Sequence, residues 1–251
     1  LSALLMLSMR AFAQKQYTLQ SPDNDITITI EVGEQITYAV AHGNTCVLAP
    51  SAIGLTLNDG TKLGMKPVVK SAKTRSVNQS VKTKLYKRAE IPEVYNELTL
   101  TFKGNYRVVF RAYDEGVAYR FETEFRKPII IESETADFNF DADYQGVIPY
   151  VLRRAGQEGD LISQQFYNSF ENTYTHTALS QMDSQKLAFL PLLVELKDGK
   201  KVVITEADLE DFPGLYLRNE NGNNGLSAVH AGYPKTREQG GHNNLQWIVK
   251  E

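Results

Sequence analysis

The segment Asp25–Val32, DITITIEV, alternates Ile26, Ile28, Ile30 and Val32 with Thr27, Thr29 and Glu31. A repeat of two puts every branched apolar residue on one face of an extended chain, whereas a helix would scatter them around its axis. The segment therefore reads as a strand with one buried and one wet face. The same signal returns in Gln35–Leu48 around His42-Gly43-Asn44, and in Ile53–Gly64 around Asn58-Asp59-Gly60, where a tight turn needs positive φ. Tyr95–Phe125 reads as three strands broken at Lys103-Gly104-Asn105 and Asp114-Glu115-Gly116, and Leu187–Asp208 as an apolar hairpin on Asp198-Gly199. Short turns between successive strands dictate antiparallel pairing as a meander. A sheet with one apolar face must bury it against another layer, and no ten-residue segment carries a helical period. The expected fold is all-β, an antiparallel sandwich, and with no repeat or linker it is continuous.

The N-terminal run Leu1–Ala13, LSALLMLSMRAFA, is apolar, too short to span a bilayer, and closes on Ala11-Phe12-Ala13, the small-x-small pattern of a signal-peptidase site. It lacks an initiator Met and a basic start, so residues 1–13 read as a truncated export signal and 14–251 as the mature domain. The expected location is periplasmic or secreted, with no membrane insertion after cleavage. A single cysteine, Cys46, excludes an internal disulfide and reads as a small buried hydrophobe. With 42% hydrophobic residues the chain can fill a core without crosslinks, and a net charge of −3 gives no electrostatic reason to expect nucleic acid or an anionic membrane as partner.

Chemistry is sought where the strand pattern fails. Ser71–Asn96 is basic and turn-rich and reads as a solvated insertion, and Gly214–Asn244 is rich in Gly and Asn. The third stretch, Gln165–Thr177, QFYNSFENTYTHT, holds Phe166, Tyr167, Phe170 and Tyr174 around one carboxylate, Glu171, a mixture suited to a sugar site, an oxygen-ligand metal site or a packed loop. The sequence has no G-x-S-x-G, H-E-x-x-H or phosphate-loop pattern, and His42, His176, His230 and His242 lack metal-ligand spacing. Asp141–Gly146, DADYQG, begins like a calcium loop, but Leu152 stands where the terminal Glu belongs, so it reads as a polar turn.

The order YTLQSPDNDITITIEV, SAIGLTLNDG, YNELTLTF, RAYDEGVAYRFETEF, SFENTYT, AFLPLLVEL and ITEADLEDFPGLYL resembles the N-terminal part of glycoside hydrolase family 97, from about Tyr17 to the end. The resemblance implies an antiparallel β-super-sandwich of the galactose mutarotase-like kind, packed on a following (β/α)8 barrel, in exported α-glucosidases and α-galactosidases. It implies that Glu171 reaches the barrel's active site as a calcium ligand, with Asn172 and Tyr174 as flanking substrate-binding candidates. It further implies a substrate or interface role for Glu206 in ITEADLEDFPG, where Thr205 and Asp208 by themselves suggest a capped turn. YNEL at Tyr95–Leu98 reads as structural, at a strand start.

Glycoside hydrolysis needs two carboxyl groups across the scissile bond. The resemblance places both in the barrel, so this chain carries no catalytic residue and is expected to be inactive alone. It would act as the non-catalytic domain of an exported α-glycosidase, with an α-linked oligosaccharide and its own C-terminal barrel as partners and calcium as cofactor. The alternative is a free-standing carbohydrate-binding or mutarotase-like sandwich.

Overall fold

The computed structural model describes residues 14–152, 160–166, 168–210, 212–232, 236–240 and 246–250. The expected leader, Tyr167 and His242 lie outside them. Among the described residues there is no α-helix, only three short 3-10 turns, and no helix long and apolar enough to cross a membrane. The all-β antiparallel sandwich expected from the sequence is what the chain forms. It divides into two compact units, residues 1–46 with 50–132, and 47–49 with 133–251.

In the first unit, β1 (Lys15–Gln20), β2 (Ile26–Val32) and β3 (Ile36–His42) pair antiparallel, with Leu19 opposite Ile28 and Ile28 opposite Val40. β4 (Thr45–Leu57) follows β3 in that sheet and carries β5 (Lys62–Leu63) on it. A second sheet runs β6 (Val69–Lys82), β7 (Glu90–Phe102), β8 (Tyr106–Tyr113) and β9 (Gly116–Thr123) in order. The alternation in the sequence decides which faces meet. Ile28, Ile30, Ile36 and Tyr38 from the first sheet are buried, as are Leu98, Leu100, Phe102, Val108 and Phe110 from the second. Tyr38 lies 6.5 Å from Phe110 and 5.4 Å from Tyr119, ring to ring.

The turns are those the sequence marks. Gly60 (φ 82°), Gly104 (φ 101°) with Asn105 (φ 59°), and Asp198 (φ 59°) with Gly199 (φ 72°) all occupy the left-handed region. At Gly64 (φ 99°) a Cβ would lie 2.8 Å from the Ile53 carbonyl oxygen, so only glycine fits.

Three expectations need correction here. Ser71–Asn96 is solvated but regular, because β6 and β7 pair without a break from Ser71↔Thr101 to Lys82↔Glu90. YNEL lies inside β7 rather than at its start, and its Glu97 is buried. Glu97 accepts hydrogen bonds from Arg75 (Nε 2.6 Å, Nη2 2.9 Å) and Arg111 (Nε 2.9 Å), cross-strand neighbours on either side. Those bonds, Arg75's first, hold its carboxyl below the usual glutamate range. Cys46, expected to be buried, is partly exposed.

The second unit is built from β10 (Ile131–Asn139), β16 (Gly225–His230) and β15 (Leu215–Arg218), paired in that order, and from a sheet β12-β11-β13-β14. These last strands are Thr175–Ala178, Gln145–Ile148, Leu192–Glu195 and Lys201–Ile204. β17 (Thr236–Gly240) and β18 (Gln246–Lys250) pair antiparallel. Val151, Leu187, Phe189 and Tyr216 make a core on which Ile162, Phe166 and Val229 pack.

Candidate functional site

Up to Tyr174 the aromatic stretch is irregular, held by single backbone turns and side-chain bonds, and from Thr175 it enters β12. Asp160 accepts the N–H groups of Ile162 (2.9 Å) and Ser163 (3.1 Å) and opens the 3-10 turn Ser163–Gln165. Gln165, fully buried, then ties three segments. Its amide donates to the carbonyls of Leu161 (2.7 Å) and Gln185 (2.8 Å), and its oxygen takes the Leu187 N–H (2.9 Å). The Gln165 amide is thus paired through both its nitrogen and its oxygen, so this side chain is buried at little desolvation cost.

Downstream, Phe170 stacks 4.7 Å from Phe189 and 6.2 Å from Tyr216, and Tyr174 meets Phe189 edge-on at 6.0 Å. Both rings remain about half exposed. Asn172 spends its amide on the frame, since Nδ2 donates to the Tyr150 carbonyl (3.2 Å) and Oδ1 accepts the Thr173 N–H (2.9 Å). Glu171 stands between these anchors. Its N–H donates to Ser169 Oγ (3.0 Å), and its carboxylate is exposed with no hydrogen bond or ion pair among the described residues. A fixed backbone therefore displays an uncompensated anion beside two half-open aromatic rings.

A calcium ion takes six to eight oxygens. Among the described residues no three His, Cys, Asp or Glu side chains converge on a metal position, so Glu171 by itself could supply only a minority of such a shell. The Asp141–Gly146 segment is the polar turn expected. Asp141 accepts the Tyr144 hydroxyl (2.7 Å) and Lys197 Nζ (3.3 Å), while Asp143 accepts the Ser180 N–H (2.9 Å) and hydroxyl (2.6 Å).

No helix or capped turn forms at Thr205–Asp208. Asp208 has φ 61°, and the Glu206 carboxylate instead accepts the Leu215 N–H through both oxygens (3.0 and 2.9 Å). Glu206 is thus fixed at the first residue of β15, whose next residue, Tyr216, is the one on which Phe170 packs. Two groups not apparent from the sequence join it. Glu134 on β10 and His230 on the neighbouring strand β16 come together, with Glu134 Oε2 3.5 Å from His230 Nε2 and both side chains under one-fifth exposed. Phe212 covers His230 edge-on at 5.9 Å. Burial first, then repulsion by Glu206, pushes Glu134 up to about 7. Burial lowers His230 and raises Glu206.

A carboxyl raised by folding contributes stability that is complete below the ordinary glutamate range and lost as pH rises through its folded value. The wild-type chain should therefore lose part of its unfolding stability between about pH 5 and about pH 8. Glu134→Gln should lack that part and be the more stable protein at the alkaline end, as read from urea midpoints across the range. Equal slopes for the two proteins would refute the buried acid.

Three comparisons with known proteins bear on the site. Residues 19–243 match the family model Glycosyl-hydrolase 97 N-terminal. A protein of Bacteroides thetaiotaomicron named retaining alpha-galactosidase is 45% identical over all 251 residues, which span 37% of its length. Among solved structures, a glycoside hydrolase family 97 enzyme in complex with acarbose, from Pseudoalteromonas sp. strain K8, superposes with TM-score 0.69 at 23% identity. That match covers 85% of this chain and 32% of the other. A beta-arabinopyranosidase gives TM-score 0.73 at 17% identity over 86% of this chain and 35% of its own. At such identities these two structures bear on the fold alone.

Proposed function

The chain belongs to the glycosyl-hydrolase 97 N-terminal family, and from that premise we propose that it is the non-catalytic sandwich of an exported retaining α-galactosidase. The observation that carries the reading is Glu171, a carboxylate with no hydrogen-bond or ion-pair partner among the described residues, presented on a hydrogen-bonded frame. The relative's printed name supports α-galactosides over α-glucosides as substrate. The acid and the nucleophile that retention requires would be supplied by a barrel beyond this chain.

Glu171 would hold a calcium ion together with carboxylates of that barrel. When bound, calcium supplies a fixed positive charge that orients sugar hydroxyls and neighbouring carboxylates. The chain's own residues do the positioning. Asn172 and Ser169 lock the backbone on either side of Glu171, and Phe170 and Tyr174 offer apolar faces to a sugar or to the barrel wall. Glu206, pinned by the Leu215 N–H, contributes to substrate binding or to the interface. Tyr174 keeps its exposed ring as a stacking surface, whereas Asn172, with its amide committed, shapes the loop more than it touches ligand. The protein would work in the periplasm or outside the cell.

The test is an assay of the whole protein on aryl α-galactoside and aryl α-glucoside. Its kcat/KM should favour the galactoside by at least about 100-fold, because a site built to bond one hydroxyl orientation leaves polar groups unpaired with the other. The 251-residue chain alone should turn over neither substrate nor bind calcium measurably. Equal rates on both sugars would remove the galactoside assignment, and turnover by the chain alone would remove the non-catalytic one.

A further inference from the structure

β6 and β7 are 14 and 13 residues long, but β8 pairs with β7 only between Asn96 and Phe102. Beyond Asn96 and its partner Ser76 the hairpin continues as a two-stranded ribbon. From Asn78 to Glu90 none of its residues is buried. Six rungs at about 3.3 Å carry its tip roughly 20 Å past the last residue that β8 supports.

The tip, Thr83–Ala89, reads TKLYKRA. Leu85 is wholly exposed (101%) and Tyr86 63% exposed, so two of the largest open apolar surfaces of the chain adjoin at its extremity. Lys84, Lys87 and Arg88 flank them without an ion pair among the described residues. The ribbon's acids lie lower down. Glu90 faces Lys82 across the ladder, and Glu93 is taken by Gln79.

An apolar pair ringed by unneutralised cations has one well-matched counterpart, an anionic interface with an apolar layer beneath it. Leu enters the acyl boundary, Tyr settles at headgroup depth, and cations pair with anionic headgroups. The net charge of −3 does not oppose this contact. A tip about 20 Å from its sheet lies beyond the screening length of about 8 Å at physiological salt, so local charge decides. A second copy is a poorer occupant, since two tips would set like charges together.

We propose that the β6–β7 tip is a peripheral membrane-docking element, seating Leu85 and Tyr86 in the surface of a bilayer rich in anionic phospholipid. This goes beyond the glycosidase reading and does not depend on it. The test is co-sedimentation of the chain with phosphatidylcholine vesicles, with and without about one-third phosphatidylglycerol. Binding should require the anionic lipid and fall as salt rises from about 0.1 M to about 0.5 M. The variant K84E/K87E/R88E should bind at least about 100-fold more weakly. L85S/Y86S, which keeps every charge, should lose about tenfold or more. Both variants alter exposed residues, and an unchanged far-ultraviolet spectrum would confirm their fold.

The proposal would be overturned by no sedimentation with anionic vesicles at low salt, by equal sedimentation with neutral ones, or by full binding by L85S/Y86S. A concentration-dependent dimer in ultracentrifugation, abolished by L85S/Y86S and accompanied by no vesicle binding, would overturn it in favour of a second copy.

Discussion

Glu171→Gln in the whole protein should cut kcat/KM by at least about 100-fold and abolish the response of activity to added calcium, a loss at the upper end of what weakened metal shells show. Gln keeps the length, one oxygen and the neighbouring packing, so the change removes charge and a second ligand oxygen and little else. The frame should survive, because what fixes the loop is Ser169, Asn172, Phe170 and the buried Gln165 rather than the Glu171 side chain. Its urea midpoint should therefore match wild type within error. Asn172→Ala provides the contrast. It frees the Tyr150 carbonyl and loosens the segment, so it should weaken calcium affinity while leaving the charge count intact. Full activity and an unchanged calcium response in Glu171→Gln would return this residue to an ordinary surface acid.

Phe110→Ala should lower unfolding stability by about 4 kcal/mol, in the range found for deleting a buried aromatic ring. Phe110 is 1% exposed and lies against Tyr38 of the opposing sheet and Tyr119 of its neighbour strand, so no side chain can swing in to fill the void. Phe110→Leu, which retains most of the volume, should cost well under half as much. Urea titration followed by circular dichroism decides the matter. A loss under 1 kcal/mol for the Ala variant would mean that the sheets close over the gap.

What could be read from the sequence divides by range. β2, β3, β8 and the turns at Gly60, Gly104 and Gly199 were legible, because alternation and positive φ are local properties that neighbouring residues determine. The β6–β7 ribbon was not, since both of its faces are wet and the alternation of apolar with polar residues has no core to enforce it. Glu134 and His230 meet because β10 and β16, distant in sequence, are neighbouring strands, which no short window of residues contains. Thr205 and Asp208 suggested a cap, but the Glu206 carboxylate found a backbone donor nine residues on and the local preference lost. The roles of Glu171 and Glu206 rested on a family resemblance. The polar, aromatic composition around Glu171 marked the segment without saying what it does.

β6 has a further consequence for the chain in a crowded compartment. It is the outermost strand of its sheet, so fourteen residues of backbone stand ready to template another strand, the geometry from which fibrils grow. Lys70, Lys73 and Lys82 are spaced along that strand, and an incoming parallel or antiparallel copy would have to bring a matching row of cations against them. Their positive charge keeps the longest strand of the molecule from recruiting its own kind.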